Sequence, residues 1–148
     1  MGRENRGPYA RQLRVRHRMA RRVIIEGPSP VPLDAVIHEA VLRIMVGTRA
    51  AARAQLAHIL ELSEAAHITV QVIPFEQEGF AGGSSSMAYV GGSLEKLDTV
   101  IRDGPTGVLY IDEESQLDTY RARFRRVQTL ALDPVRSRDL IGRLAKEL

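Results

Sequence analysis

The sequence predicts an α+β domain with a small, mostly antiparallel sheet, an N-terminal arginine-rich helix, one central helix and two C-terminal helices. Three observations carry this expectation. Most of the strand-like, β-branched segments cluster between residues 67 and 112 instead of alternating regularly with helices. Two helical patterns with clear start signals close the chain. The 148 residues, 44% apolar and 26% charged, suffice for one buried core and not comfortably for two.

Residues 8–25 place Tyr9, Leu13, Ala20, Val23 and Ile24 on roughly one stripe of a cationic helix that should end before Gly27. GPSPVP (27–32) has three prolines, which remove amide donors and restrict each preceding residue, so it reads as a stiff linker. The expected division is a basic helical arm over 1–26 and a single α+β domain over 33–148. LDAVIHE (33–39) alternates as a short strand, with Val36 and His38 on one face and Ile37 and Glu39 on the other. Thr48 is a plausible cap for an alanine- and leucine-rich helix to Ala66. HITVQVIP (67–74) follows as a strand closed by Pro74.

Between 76 and 93, five glycines surround SSSMAYV, which predicts a mobile loop, a short strand at 85–90 and a tight turn at Gly91-Gly92. TVIRD (99–103) and VLYID (108–112) flank GPTG as a hairpin. Asp112 is expected to cap a helix with Glu113 and Glu114 in its first turn and a buried stripe of Leu117, Tyr120, Phe124, Val127 and Ala131. Asp133-Pro134 then supplies a cap and a first-turn proline for the last helix.

Composition excludes several chemistries. Without cysteine there is no disulfide framework, thiolate nucleophile or cysteine-held metal. No segment resembles a secretory leader or a membrane span, so the expected location is cytoplasmic, with no membrane partner. The net charge of +3 divides unevenly. Residues 1–25 carry eight arginines against one glutamate, whereas the remainder carries thirteen basic and seventeen acidic residues. Arg14, Arg18, Arg21 and Arg22 therefore form a candidate surface for nucleic acid or for a protein partner. The arm lacks a preceding short helix with a glycine turn, zinc ligands and aromatic platforms, so direct DNA contact is the less favoured of the two.

Candidate chemistry is sparse. His17, His38, His58 and His67 make no HxxxH or HxH pair, and neither metal nor cofactor is expected. The glycines at 79–83 lack the lysine and following helix of a phosphate-binding loop. Ser84, Ser85 and Ser86 lack a nucleophile-elbow frame. His38, Glu39, Tyr89 and Tyr110 remain as candidate proton-handling groups, although adjacent strand residues such as His38 and Glu39 point apart unless the strand ends there. Gln71, Phe75, Phe80, Met87 and Tyr89, around the glycine-rich loop, are candidates for lining a small-ligand site.

VIHEAVLRIMVG (36–47), AQLAHILELSEAAHITVQVIPF (54–75), the GFAGG turn, TGVLYIDEESQLDTYRARFRRVQTLAL (106–132) and PVRSRDLIGRL (134–144) together resemble one family. It is the C-terminal domain of unknown function of actinobacterial antitoxin-like regulators of the XRE helix-turn-helix type. The resemblance spans roughly residues 10–145 and is most specific at Gln55-Leu56 and Val70–Pro74. It implies a sensing or partner-binding half of a repressor, here expected to stand without the DNA-reading half. His38-Glu39 occupies the place of the family's Asp-Glu, and Ile101-Arg102-Asp103 that of a Tyr-x-Glu strand ending. The expected function is a regulatory effector domain, as a homodimer or with a small protein partner, and with a small ligand as a further option. The alternative is a metal-free, cofactor-free cyclase or isomerase of a biosynthetic pathway.

Overall fold

A computed structural model of the chain describes residues 8–80, 86–104 and 107–148. Helices alternate with two separate small sheets: α1 (Pro8–Ala20), α2 (Val23–Glu26), β1 (Leu33–His38), α3 (Glu39–Arg43), α4 (Arg49–Leu62), β2 (Ile68–Ile73), β3 (Ala88–Val90), β4 (Thr99–Gly104), β5 (Gly107–Ile111), α5 (Glu114–Leu130) and α6 (Pro134–Glu147). The α+β class holds. The expected single, mostly antiparallel sheet is instead a parallel pair, β1-β2, and an antiparallel meander, β3-β4-β5.

The parallel pair follows from its connection. Leu33 pairs with Ile68 and His38 with Ile73, and the return between them runs through α3 and α4, the crossover that parallel strands require. Thr48 caps α4 as expected, its hydroxyl accepting from the Ala51 amide at 3.1 Å. At the outer edge of β2, the Leu132 amide donates to the Val72 carbonyl at 2.9 Å. The Val72 amide in turn donates to the Ser137 hydroxyl at 2.9 Å, and Gln71 Nε2 donates to the Leu132 carbonyl at 3.0 Å. The α5–α6 connection thus takes the place of a third strand and satisfies backbone groups that would otherwise be orphaned.

The single expected helix over 8–25 is divided at Arg21-Arg22. There the amides bond three residues back, to the Arg18 and Met19 carbonyls at 3.2 and 3.1 Å, and this tightened turn separates α1 from α2. Ile25 packs against the core while the Ile25 carbonyl accepts from His67 Nε2 at 2.8 Å, so α2 is held to the body. Every α1 side chain that is described is exposed.

Helix α3 was not anticipated. Five residues are too few for a periodic signal, and its start is set by His38 Nδ1 accepting from the Ala40 amide at 3.2 Å. The tight turn expected at Gly91-Gly92 is a longer connection that includes a 3₁₀ turn at Glu95–Leu97, because Asp98 gathers the Gly92 amide from across the loop. Asp112 does not cap α5. Glu113 occupies that position, and its carboxylate accepts from Ser115 and Gln116 side chains instead of the helix amides. Asp133 caps α6 as expected, accepting from the Arg136 amide at 2.9 Å ahead of Pro134. The loop expected over 76–93 lies partly outside the described residues.

Burial divides in two. Leu42, Leu56, Val70, Val72, Ile141 and Leu144 join α4 and α6 to the parallel pair. Val100, Ile111 and Leu117 form a smaller cluster, with Met87, Tyr89 and Tyr120 at its border, where α5 covers one face of the meander.

Candidate functional site

Both parallel strands end at the same level, and the two segments that leave them converge. Because β1 stops at His38, Glu39 is the first residue of a helix and does not turn away to the opposite face of a sheet. Its carboxylate, only 3% exposed, accepts from the Phe75 amide at 2.9 Å and from Arg43 Nε at 2.7 Å. Arg43 continues to Glu147 at 3.1 Å, tying α3 to the end of α6, and its guanidinium lies 5.8 Å from the centre of the Phe75 ring. His38 stacks on Phe80 at 4.9 Å and meets the edge of Phe75 at 5.6 Å. Since Nδ1 of His38 accepts the Ala40 amide, the neutral ring carries its proton on Nε2.

Burial works against ionisation of Glu39, but the Phe75 amide and Arg43 together outweigh it and hold the carboxyl below its ordinary range. Both oxygens are occupied. A general base at neutral pH needs the opposite shift and a free lone pair facing a substrate. Glu39 is thus built as an anchor, while His38, Phe75 and Phe80 form an aromatic patch beside it.

A second constellation lies on the meander. Tyr89 donates to Asp98 Oδ2 at 2.5 Å, Arg121 Nη2 reaches the same oxygen at 3.0 Å, and the Gly92 amide donates to Oδ1 at 3.1 Å. Arg121 also bonds Asp118 at 2.8 Å and lies 5.4 Å from the Tyr89 ring centre. Bonds from Tyr89 and Arg121 lower the Asp98 carboxyl, whereas burial, followed by the Asp98 bond, raises the Tyr89 phenol. Tyr89 is consequently a neutral donor that holds Asp98 to β3, while Arg121 ties the same carboxylate to α5.

The four proton-handling candidates do not share one site. His38 and Glu39 meet at the strand ends of the parallel pair, whereas Tyr89 and Tyr110 belong to the meander. Tyr89 pairs with Val100 and Tyr110 with Ile101, so the two phenols occupy opposite faces of that sheet. Of the ligand candidates, Phe75 and Phe80 come together on His38, Gln71 is spent on the Leu132 carbonyl, and Met87 and Tyr89 border the smaller core. In the arm, Arg18 and Arg21 are exposed, and Arg22 pairs with Glu26 at 2.8 Å. The side chain of Arg14 lies outside the described residues. Asp98, Arg121 and Arg43 are absent from the sequence-based candidates, and the local signals for them are the i, i+4 spacing of Glu39 and Arg43 and the i, i+3 spacing of Asp118 and Arg121.

Two open surface clefts, of about 270 and 230 Å³, are lined respectively by Glu95, Lys96, Asp112, Glu114, Leu117 and Arg121 and by Gln116, Thr119, Tyr120 and Arg123. Among the described residues of 76–93, none lines either cleft. Among the described residues, no three histidines or carboxylates converge as a metal site, and no helix is long and apolar enough to cross a membrane.

Two helix-supported sheets with an appended basic helix define an α+β domain whose polar clusters fasten elements together. The chain belongs to the family described as a domain of unknown function (DUF5753), which matches residues 2–143. No curated protein and no solved structure matches it.

Proposed function

We propose that the chain is a regulatory effector domain of the antitoxin-like regulator type that docks an acidic protein partner through α1. The observation that carries this reading is the exposure of every described side chain of α1, Leu13, Val15 and Met19 among them. An isolated helix of 13 residues is marginal in water, and most helix stability comes from burying an apolar stripe. A partner that covers Leu13 and Met19 supplies that burial. Arg16 and Arg18 on the same short cylinder fix its sign as acidic. The resemblance to effector halves of repressors points the same way. The scattered proton-handling candidates and the occupied oxygens of Glu39 weigh against the cyclase or isomerase reading.

The test is stoichiometric co-purification from the native host of the wild-type chain and of Leu13→Asp/Met19→Asp, with mass-spectrometric identification of what is retained, beside titration of each with duplex DNA at low salt. The wild type is expected to hold one acidic protein that the variant loses. Duplex binding that falls steeply with salt, with no retained protein, would replace this reading by direct nucleic-acid contact.

A further inference from the structure

We infer that β5 is a homodimerisation edge, pairing antiparallel with β5 of a second copy of this chain about a two-fold axis at Leu109. The strand, GVLYI, is the edge of the meander, and among the described residues no further element pairs with it. Val108, Leu109 and Tyr110 are 48, 54 and 63% exposed. Consecutive strand residues point to opposite faces, so an edge open on one face alone would bury at least one of the three. Edges are ordinarily protected by lysine, proline, a bulge or a covering segment, and residues 107–111 carry neither charge nor proline.

The backbone register says how such an edge would be used. The hairpin closes on the pair Gly104 and Gly107, a hydrogen-bonded pair, so the alternation of an antiparallel ladder aims the N–H and C=O groups of Val108 and Tyr110 away from β4. A two-fold axis at Leu109 sets Val108 of each copy opposite Tyr110 of the other. The outward groups then exchange four hydrogen bonds, with none left over. Val108 and Tyr110 share the sheet face opposite α5, together with Ile101 and the half-exposed Val90, so their side chains would continue one apolar surface across the junction.

Charge selects the partner and its direction. Asp112, Glu113 and Glu114 follow directly on the strand. Parallel self-pairing would stack these carboxylates on their counterparts, and an acidic peptide would meet the same repulsion. Antiparallel self-pairing places them at the two far ends of the interface. The interface is separate from α1, so its failure and that of the docking reading are distinguishable.

The chain has no cysteine, which permits a direct test on the full-length protein. Sedimentation velocity over a dilution series is expected to show a reversible dimer, and Val108→Lys/Tyr110→Lys to raise its dissociation constant about tenfold or more with an unchanged far-ultraviolet circular dichroism spectrum. Leu109→Cys should cross-link to itself under mild oxidation. Opposed non-hydrogen-bonded residues lie about 4.5 Å apart at Cα, within disulfide reach. Val90→Cys, on the far strand, should remain a thiol. This second arm keeps the idea exposed to refutation if the double variant fails to fold. A monomer at every concentration, a dimer indifferent to the lysines, or Val90→Cys cross-linking as readily as Leu109→Cys would each overturn the assignment.

Discussion

Replacing Ser137 by alanine removes one oxygen from the interior and should cost far more than an exposed serine would. Ser137 is fully buried, and its hydroxyl accepts from the Val72 amide at 2.9 Å while donating to the Leu132 carbonyl at 3.2 Å. The two partners would fare differently. Leu132's carbonyl keeps the Gln71 amide at 3.0 Å, but Val72 is itself 0% exposed and its N–H would face a methyl group with no solvent access. An orphaned buried donor costs about 1–3 kcal/mol, and for a chain of this size each kcal/mol lowers the melting temperature by about 3–4 °C. Urea unfolding should therefore show a lower midpoint at unchanged slope, and the Val72 amide should lose its hydrogen-exchange protection before its neighbours in β2. A midpoint shift worth less than about 0.5 kcal/mol, with Val72 still protected, would refute the claim that the α5–α6 connection substitutes for a missing strand.

Other perturbations address the polar clusters and the junction after α2. Glu39→Gln should destabilise the fold by about 1–3 kcal/mol, because an amide cannot accept from both the Phe75 amide and Arg43 as a carboxylate does. The folded carboxyl lies below the ordinary value of 4.5. Its contribution is thus fully present above that value and is lost as pH falls through the folded one, so the variant should flatten the acid limb of a stability–pH curve and leave the neutral plateau parallel. Asp98→Asn should bring the Tyr89 phenol back toward ordinary tyrosine in an ultraviolet difference titration and free the 91–98 connection to exchange; an unmoved titration would remove Asp98 from its account. A Cβ on Gly27 would lie 2.3 Å from the Val23 carbonyl oxygen, a backbone atom with no means of yielding. Gly27→Ala should accordingly unlatch α2, read as loss of the His67 to Ile25 contact in the imidazole nitrogen resonances, with α4 and α6 unaffected.

Much of the local punctuation was legible because its causes are local. Thr48 and Asp133-Pro134 begin helices through bonds to amides three residues on, and β2 announces itself by β-branched alternation. The candidate site was legible only as residue names. His38, Glu39, Phe75 and Phe80 were each singled out, but their meeting depends on where β1 stops, and that is set by the His38 cap on a helix too short to leave a periodic trace.

The sequence by itself determined the α+β class, an arginine-rich N-terminal segment against a mildly acidic remainder, and most helix and strand positions, though not the break between α1 and α2. These rest on composition and on periodicities within a few turns of chain. Only the tertiary structure decided that the strands form two sheets, that Ser137 closes the edge of β2 from 65 residues away, and that among the described residues no strand pairs with the outer edge of β5. Strand pairing and burial are agreements between segments distant in sequence, and a hydrophobic pattern states that a face must be covered without stating by what.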